Sequence, residues 1–115
     1  MPKKYRLSRA DFIKLPRSSR RVHGNFFSLV AIPAEYTPGP RAACVVSKKI
    51  AVRAVDRNKI ERRCREALRP HMSQIKKSIA LIFHAKREAR DASYAEIVRD
   101  VEKLLSSVAG QDTTR

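Results

Sequence analysis

The chain has 115 residues, 43% of them hydrophobic, so we expect residues 1–115 to form a single small domain with a modest core. Its formal net charge of +15 predicts a polyanionic partner. Nucleic acid is the favoured candidate, and a membrane surface is the weaker one. No apolar run is long enough to cross a membrane and the first residues are polar and basic, so we expect a cytoplasmic protein.

The N-terminal part of the chain predicts a short helix followed by a strand. Ser8 with Asp11 three residues later forms a weak capping box, so a helix of about two turns is expected to end at Pro16. The segment from His23 to Ile32 has the composition of a strand. Its predicted faces are Phe27, Leu29 and Ala31 on one side, and Phe26, Ser28, Val30 and Ile32 on the other.

Two more strands are predicted from apolar composition. After a reversal marked by Pro33, Pro38, Gly39 and Pro40, the segment from Ala42 to Ser47 reads AACVVS. It is typical of a buried strand and is expected to pair antiparallel with the preceding strand. The segment from Ile79 to Phe83 reads IALIF and predicts a central strand covered on both faces.

Between these strands the sequence predicts a strongly basic helix. From Lys48 to Arg69 the chain carries nine Lys or Arg and three Asp or Glu. The apolar stripe, spaced i, i+4, i+7 and i+8, consists of Ile60, Cys64, Ala67 and Leu68. We expect the helix to begin at Asp56 as its N-cap, or a turn earlier near Arg53, and to end at Pro70.

The face opposite this stripe carries the excess of positive charge. It consists of Asn58, Arg62, Arg65 and Arg69, with Lys59 and Arg63 on its flank. A run of charges is usually a solvated face, in which both signs mix in pairs four residues apart. Positive charge dominates here, which favours a surface that binds phosphates.

The last helix is predicted to belong to the scaffold. Ser93 and Glu96 form a clear capping box, and Gly110 is expected to end the helix. Its apolar positions are Tyr94, Ile97, Val98, Val101, Leu104, Leu105 and Val108. These positions should belong to the core, and the tail over 110–115 should be frayed.

No group of residues predicts catalysis or metal binding by the protein alone. The sequence has no nucleophile triad signature, no phosphate-binding loop and no paired ligand spacing, and His23, His71 and His84 are scattered. Cys44 and Cys64 have neither a disulfide framework nor a zinc spacing, so both are expected to be small buried apolar side chains. We therefore assign no catalytic and no metal-binding residue.

Two motifs resemble those of a known family. VVSKK at Val45–Lys49 and RNKIERR at Arg57–Arg63 are similar to the diagnostic motif of the bacterial ribonuclease P protein component. Further likenesses lie at Arg6-Leu7, Asp11-Phe12 and Ile82–Lys86, and together they cover about residues 6–108.

The resemblance implies both a fold and an activity. The fold would be an α/β (α+β) sandwich of order αβββαβα, with a small mixed sheet and a left-handed βαβ crossover through the basic helix, where general rules predict a right-handed one. The partners would be the catalytic RNA subunit and precursor tRNA. The complex would cleave the 5′ leader from precursor tRNA. The RNA would perform the hydrolysis with Mg²⁺ that is held mainly by the RNA, and the protein alone would bind no Mg²⁺.

The resemblance also implies two binding sites. The implied RNA-binding residues are Lys48, Lys49, Arg57, Asn58, Lys59, Arg62, Arg63 and Arg65. To these we add Arg53 and Arg69 from the same basic segment. The implied cleft for the single-stranded leader contains Phe12, Phe26, Ser28 and Val30. A single strand is held by backbone electrostatics and by stacking on aromatic rings, largely without reading sequence.

Two other classes of function stay open. One is a ribosomal or chaperone-like RNA-binding protein that takes no part in cleavage. The other is a stand-alone nuclease, which the lack of clustered carboxylates or histidines disfavours.

Overall fold

The computed structural model describes residues 3–8, 20–33 and 39–113. The predicted first helix, with Phe12, lies outside these residues. The described elements, in chain order, are a 3₁₀ helix Lys3–Tyr5, β1 Arg20–His23, β2 Phe27–Pro33, β3 Arg41–Val45, α1 Ala54–Met72, β4 Ile79–Ala85, a 3₁₀ helix Arg87–Arg90 and α2 Tyr94–Thr113.

The strands form one mixed sheet in the order β1-β2-β4-β3. β1 pairs antiparallel with β2, β2 pairs antiparallel with β4, and β3 pairs parallel with β4. The predicted antiparallel pair of β2 and β3 is therefore wrong. Residues 80–83 of β4 are all buried, and burying both faces of so apolar a strand favours a place between two neighbours. The central position predicted for β4 is confirmed.

The strand predicted from His23 to Ile32 is interrupted: His23 ends β1, residues 24–26 form a tight turn, and β2 begins at Phe27. The carboxylate of Asp100, on α2, accepts hydrogen bonds from the backbone N–H groups of Asn25, Phe26 and Phe27 at 2.8, 3.0 and 2.9 Å. These bonds satisfy the donors that the turn removes from the sheet. A contact some 75 residues away in the chain thus breaks the strand, and the local sequence pattern cannot show it.

The buried stripe of α1 matches the prediction and continues beyond it. Ile60, Cys64, Ala67 and Leu68 are buried, and Met72 extends the stripe with 0% of its surface exposed. The prediction that Pro70 ends the helix is wrong. Pro70 lies in the last turn, where its missing N–H costs a single bond, and the burial of Met72 outweighs that cost. At the other end the N-cap is Arg53. The earlier of the two predicted starts, near Arg53, is therefore confirmed, and the start at Asp56 is wrong.

The capping box of α2 is confirmed in both directions. The Ser93 N–H donates to Oε1 of Glu96 at 2.9 Å, and the Glu96 N–H donates to Oγ of Ser93 at 3.2 Å. The helix does not end at Gly110, because its backbone continues to Thr113. Tyr94, predicted to be core, is 43% exposed. Both helices pack on one face of the sheet, against Phe27, Leu29, Leu81 and Phe83.

Candidate nucleic-acid interface

The basic helix α1 places its predicted RNA-binding residues in two different environments. Half-buried positions hold Arg57, Arg63 and Arg65, and exposed positions hold Lys48, Lys49, Arg53, Asn58, Lys59, Arg62 and Arg69. Lys48, Lys49 and Arg53 precede the helix. Because Asn58, Arg62 and Arg69 lie opposite the stripe that packs on the sheet, α1 can pack and present charge at the same time.

Arg57 turns inward and closes the loop that precedes α1. Its Nη1 donates to the carbonyl oxygens of Ala51 at 3.0 Å and Val52 at 2.6 Å. The N-cap Arg53 makes no side-chain capping bond, so the guanidinium of Arg57 fixes the entry to the helix instead. Sequence reasoning grouped Arg57 with the RNA ligands, but in this structure its hydrogen bonds position the loop.

Three other cations, two on α1 and one at its N-cap, also have partners within the chain. Arg63 donates to the carbonyl oxygen of Ala92 at 3.2 Å and so ties α1 to the start of α2. Arg65 lies 3.7 Å from Glu61, four residues earlier on the helix. Arg53 lies 4.0 Å from Asp56, and both side chains are exposed. Exposed pairs of this kind contribute little to stability. The carboxylate in each pair nevertheless offsets part of the positive charge that would attract a phosphate.

The remaining members form what we call the cationic face, which consists of Lys48, Lys49, Asn58, Lys59, Arg62 and Arg69. Within the described part of the chain none of these side chains has a hydrogen bond or an ion pair. Their donors are therefore available to an external acceptor. Arg62 is the arginine of this face nearest the middle of α1, and a free guanidinium is well suited to a bidentate phosphate contact.

A recess of about 380 Å³ adjoins the cationic face, between the loop before α1, the first turns of α1 and the 3₁₀ helix Arg87–Arg90. Its charged lining residues are Lys49, Arg53, Lys59, Arg63 and Arg90, against Asp56 and Asp91. We call it the basic recess. Sequence reasoning missed Arg90, since only the fold brings it beside α1. It also missed Val52 and Val55, which are 83% and 59% exposed and offer apolar contact next to the cations.

The predicted leader cleft is only partly brought together. Phe12 lies outside the described residues. Phe26 lies in the turn before β2 and packs against the core that the helices cover, so it does not share a strand face with Ser28 and Val30 as predicted. Those two residues do share a face, but they are buried, with 4% and 5% of their surface exposed.

The polar end of that sheet face carries residues that the sequence analysis did not predict to bind RNA. Arg21 donates through Nη1 to Oγ of Ser28 at 3.0 Å. The register places His23 and His84 on either side of Ser28. Arg21 and His23 are exposed and His84 is half-buried, so this end of the sheet presents an arginine and two imidazoles around a buried hydroxyl.

The environment of His84 disfavours its charged form. Burial lowers the pKa of His84, and the positive charge of Arg21 lowers this pKa further. At neutral pH the imidazole is therefore neutral in the folded protein. Below the ordinary histidine pKa of about 6.5 the unfolded chain takes up a proton that the folded chain resists.

We therefore expect His84 to make the protein less stable as the pH falls from about 7.5 toward 5.5. The substitution His84→Gln should make this decline shallower, and urea unfolding at several pH values measures it. His23→Gln, which changes an exposed neighbour on the same sheet face, is the matched control. Equal slopes for wild type and His84→Gln would contradict this assignment.

Among the described residues there is no group of three or more His, Cys, Asp or Glu that could hold a metal ion. In the same part of the chain no helix is long and apolar enough to cross a membrane. What the described surface does offer is unpaired positive charge on α1 and around the recess beside it.

Comparison with known proteins defines the class and then the family. The family model for ribonuclease P matches residues 1–109. The ribonuclease P protein component of Acidothermus cellulolyticus is 33% identical over 107 residues, covering 91% of this chain and 88% of that protein. Its counterpart in a Pseudanabaena species is 31% identical, covering 92% of each.

A solved structure of an RNase P protein is also similar to this chain. A Staphylococcus aureus RNase P protein mutant, described as defective in mRNA degradation activity, superposes with a TM-score of 0.81 at 30% identity, covering 93% of this chain and 90% of that one. The fold and the basic helix thus define a protein subunit of a ribonucleoprotein endonuclease. The chain belongs to the ribonuclease P protein family, whose role is the maturation of the tRNA 5′ end.

Proposed function

We propose that the cationic face of α1 and the basic recess bind the catalytic RNA subunit of ribonuclease P. The observation that carries the proposal is a set of exposed cations that have no partner in the described part of the chain. Lys59, Arg62 and Arg69 lie on α1 away from its buried stripe, and Lys48 and Lys49 lie in the segment before it. Such a rigid row of cations can neutralise successive phosphates and release their counterions. Arg57 and Arg63 support the row through their bonds to backbone carbonyls.

The proposal assigns the 5′ leader of precursor tRNA to the other face of the sheet, at its polar end. Arg21 and His23 are exposed there and would meet the leader backbone. Ser28 would act by holding the Arg21 guanidinium, at 3.0 Å, and buried Val30 would support the strand. Phe12 and Phe26 stay predictions as stacking residues.

Magnesium in this proposal is held by the RNA. The described residues bring together no group of three or more His, Cys, Asp or Glu that could hold a metal ion. Mg²⁺ in nucleic-acid enzymes is usually bound through phosphates and water with few protein ligands. Hydrolysis would then be the work of the RNA and its metal ions, with the protein holding substrate and ribozyme together in the bacterial cytoplasm, where tRNA precursors are made.

The test is reconstitution. Purified protein, catalytic RNA and precursor tRNA are combined in all pairings at low Mg²⁺, and the 5′ end of the product is mapped. We expect cleavage at the mature 5′ end only when both protein and catalytic RNA are present, since the protein lowers the electrostatic cost of bringing two RNAs together.

The same experiment separates the alternatives. Cleavage of precursor tRNA by the protein alone would support a stand-alone nuclease. This part of the experiment is informative because a mutant of the Staphylococcus aureus relative is described as defective in mRNA degradation activity. No stimulation of the catalytic RNA, together with recovery of ribosomal RNA on the purified protein, would support a general RNA-binding protein and overturn the proposal.

A further inference from the structure

The fold brings the two cysteines of the chain side by side. Cys44 lies on β3 and Cys64 on α1, and their Sγ atoms are 2.7 Å apart. Both are free thiols. Their spacing of 20 residues matches no disulfide or metal motif, so the sequence predicted two small buried apolar side chains. This is confirmed for Cys64, whereas Cys44 is only partly buried. The contact arises only because α1 packs over the end of the sheet that carries β3.

The two thiols differ in access to solvent. Cys64 has 0% of its surface exposed, and Cys44 is only partly buried. Burial raises the pKa of Cys64, and its hydrogen bond to Cys44 raises this pKa further. Partial exposure makes Cys44 the thiol that a reagent in solution can reach. The 2.7 Å contact places the Cys64 sulfur where it can attack the group that forms on Cys44.

We propose that Cys44 and Cys64 form a dithiol modification site, which a peroxide converts reversibly into an intramolecular disulfide between β3 and α1. In the first step the Cys44 thiolate attacks one peroxide oxygen, the O–O bond breaks, and Cys44 becomes a sulfenic acid as an alcohol or water leaves. In the second step the Cys64 sulfur attacks the Cys44 sulfur. The S–S bond forms, the S–O bond breaks, and the departing hydroxide leaves as water with the Cys64 proton.

The electrons balance in this sequence. The two sulfurs together lose two electrons, the peroxide gains them, and a dithiol reductant reverses the change by exchange. Because the thiols are already in contact, the cross-link needs little movement of β3 or α1. The bond would enclose the segment from Cys44 to Cys64, which contains Lys48, Lys49 and the first half of α1, and would hold it on the sheet.

Closing a loop of this length restricts the unfolded chain, so the oxidised protein should unfold at a temperature higher by on the order of 10 °C. The experiment treats the purified full chain with hydrogen peroxide at low stoichiometry. Intact mass, thiol titration and peptide mapping are measured, followed by thermal unfolding with and without a reductant. We expect loss of two hydrogens, a linked Cys44–Cys64 peptide, and a rise in melting temperature that the reductant removes.

The variant Cys44→Ser is the matched control, since it keeps the size of the partly exposed side chain and removes one sulfur. Its melting temperature should not rise on peroxide treatment. If this variant fails to fold, the peptide map of the wild-type chain still decides. Recovery of both thiols unmodified, oxidation that stops at separate sulfinic acids, or linkage only between two copies of the chain would each overturn the proposal.

Discussion

Replacing Asp100 with alanine is expected to lower the free energy of unfolding by about 3 kcal/mol or more, because three backbone N–H groups lose one charged acceptor. The carboxylate is 3% exposed and binds the N–H groups of Asn25, Phe26 and Phe27. Alanine would leave the N–H of Phe27 buried without a partner, would remove the acceptor of the other two, and would release α2 from the β1–β2 turn. Equilibrium denaturation measures the loss.

A double-mutant cycle with Gly24 makes the prediction specific. A Cβ on Gly24 would lie 2.6 Å from Oδ1 of Asp100, so Gly24→Ala should be strongly destabilising in the wild-type protein. In the Asp100→Ala background that clash is gone, and the same glycine substitution should cost much less. Residues in direct contact are expected to show such non-additivity.

The control is Glu102→Ala, which removes a carboxylate from the same helix. Glu102 is exposed and its partner is His71, 3.0 Å away, so its loss should cost less than about 1 kcal/mol. A cost for Asp100→Ala equal to that of Glu102→Ala, or additive effects of the Gly24 and Asp100 substitutions, would show that the turn does not depend on this carboxylate.

Asp100 also shows where sequence reasoning ends. The apolar stripe of α1, the capping box of α2 and the central strand β4 could be predicted because each depends on residues close together in the chain. The turn between β1 and β2 could not, because its acceptor comes from a helix far along the sequence. A signal did exist: Asp100 falls on the same helical face as Ile97 and Leu104, where a carboxylate needs a partner.

In the candidate site too, some features could be predicted from the sequence and others depend on tertiary contacts. Residue type and helical spacing identified the cationic face, including Arg62, which is exposed in the structure. They could not show that Arg57 and Arg63 bond to carbonyls of the loop before α1 and of the α2 entry. Nor could they show that Phe26 leaves the strand face, since that depends on where β2 begins. Spacing gives direction around a helix, whereas partners depend on tertiary contacts.

The double variant Lys59→Ala/Arg62→Ala is expected to weaken binding of the catalytic RNA and to flatten its salt dependence. Each phosphate contact adds roughly 0.7 to 0.9 to the slope of log affinity against log salt concentration, so two lost contacts should lower the slope by roughly 1.4 to 1.8. Neither side chain has a partner in the described chain, so the fold should be unaffected. Binding titrations over a range of salt concentrations, with thermal unfolding alongside, measure both effects.

Two further variants show whether a loss of RNA binding comes from the cationic face, from net charge or from a change in the fold. Arg99→Ala removes one exposed arginine from α2 and should leave the salt slope unchanged, because that charge lies away from the cationic face. The matched single change on the cationic face is Arg62→Ala. Arg57→Ala should lower the melting temperature as well as the affinity, since it frees the carbonyls of Ala51 and Val52. If Arg99→Ala lowered the slope as much as Arg62→Ala, the RNA would be responding to net charge alone. A slope unchanged in the double variant would place the RNA on another surface.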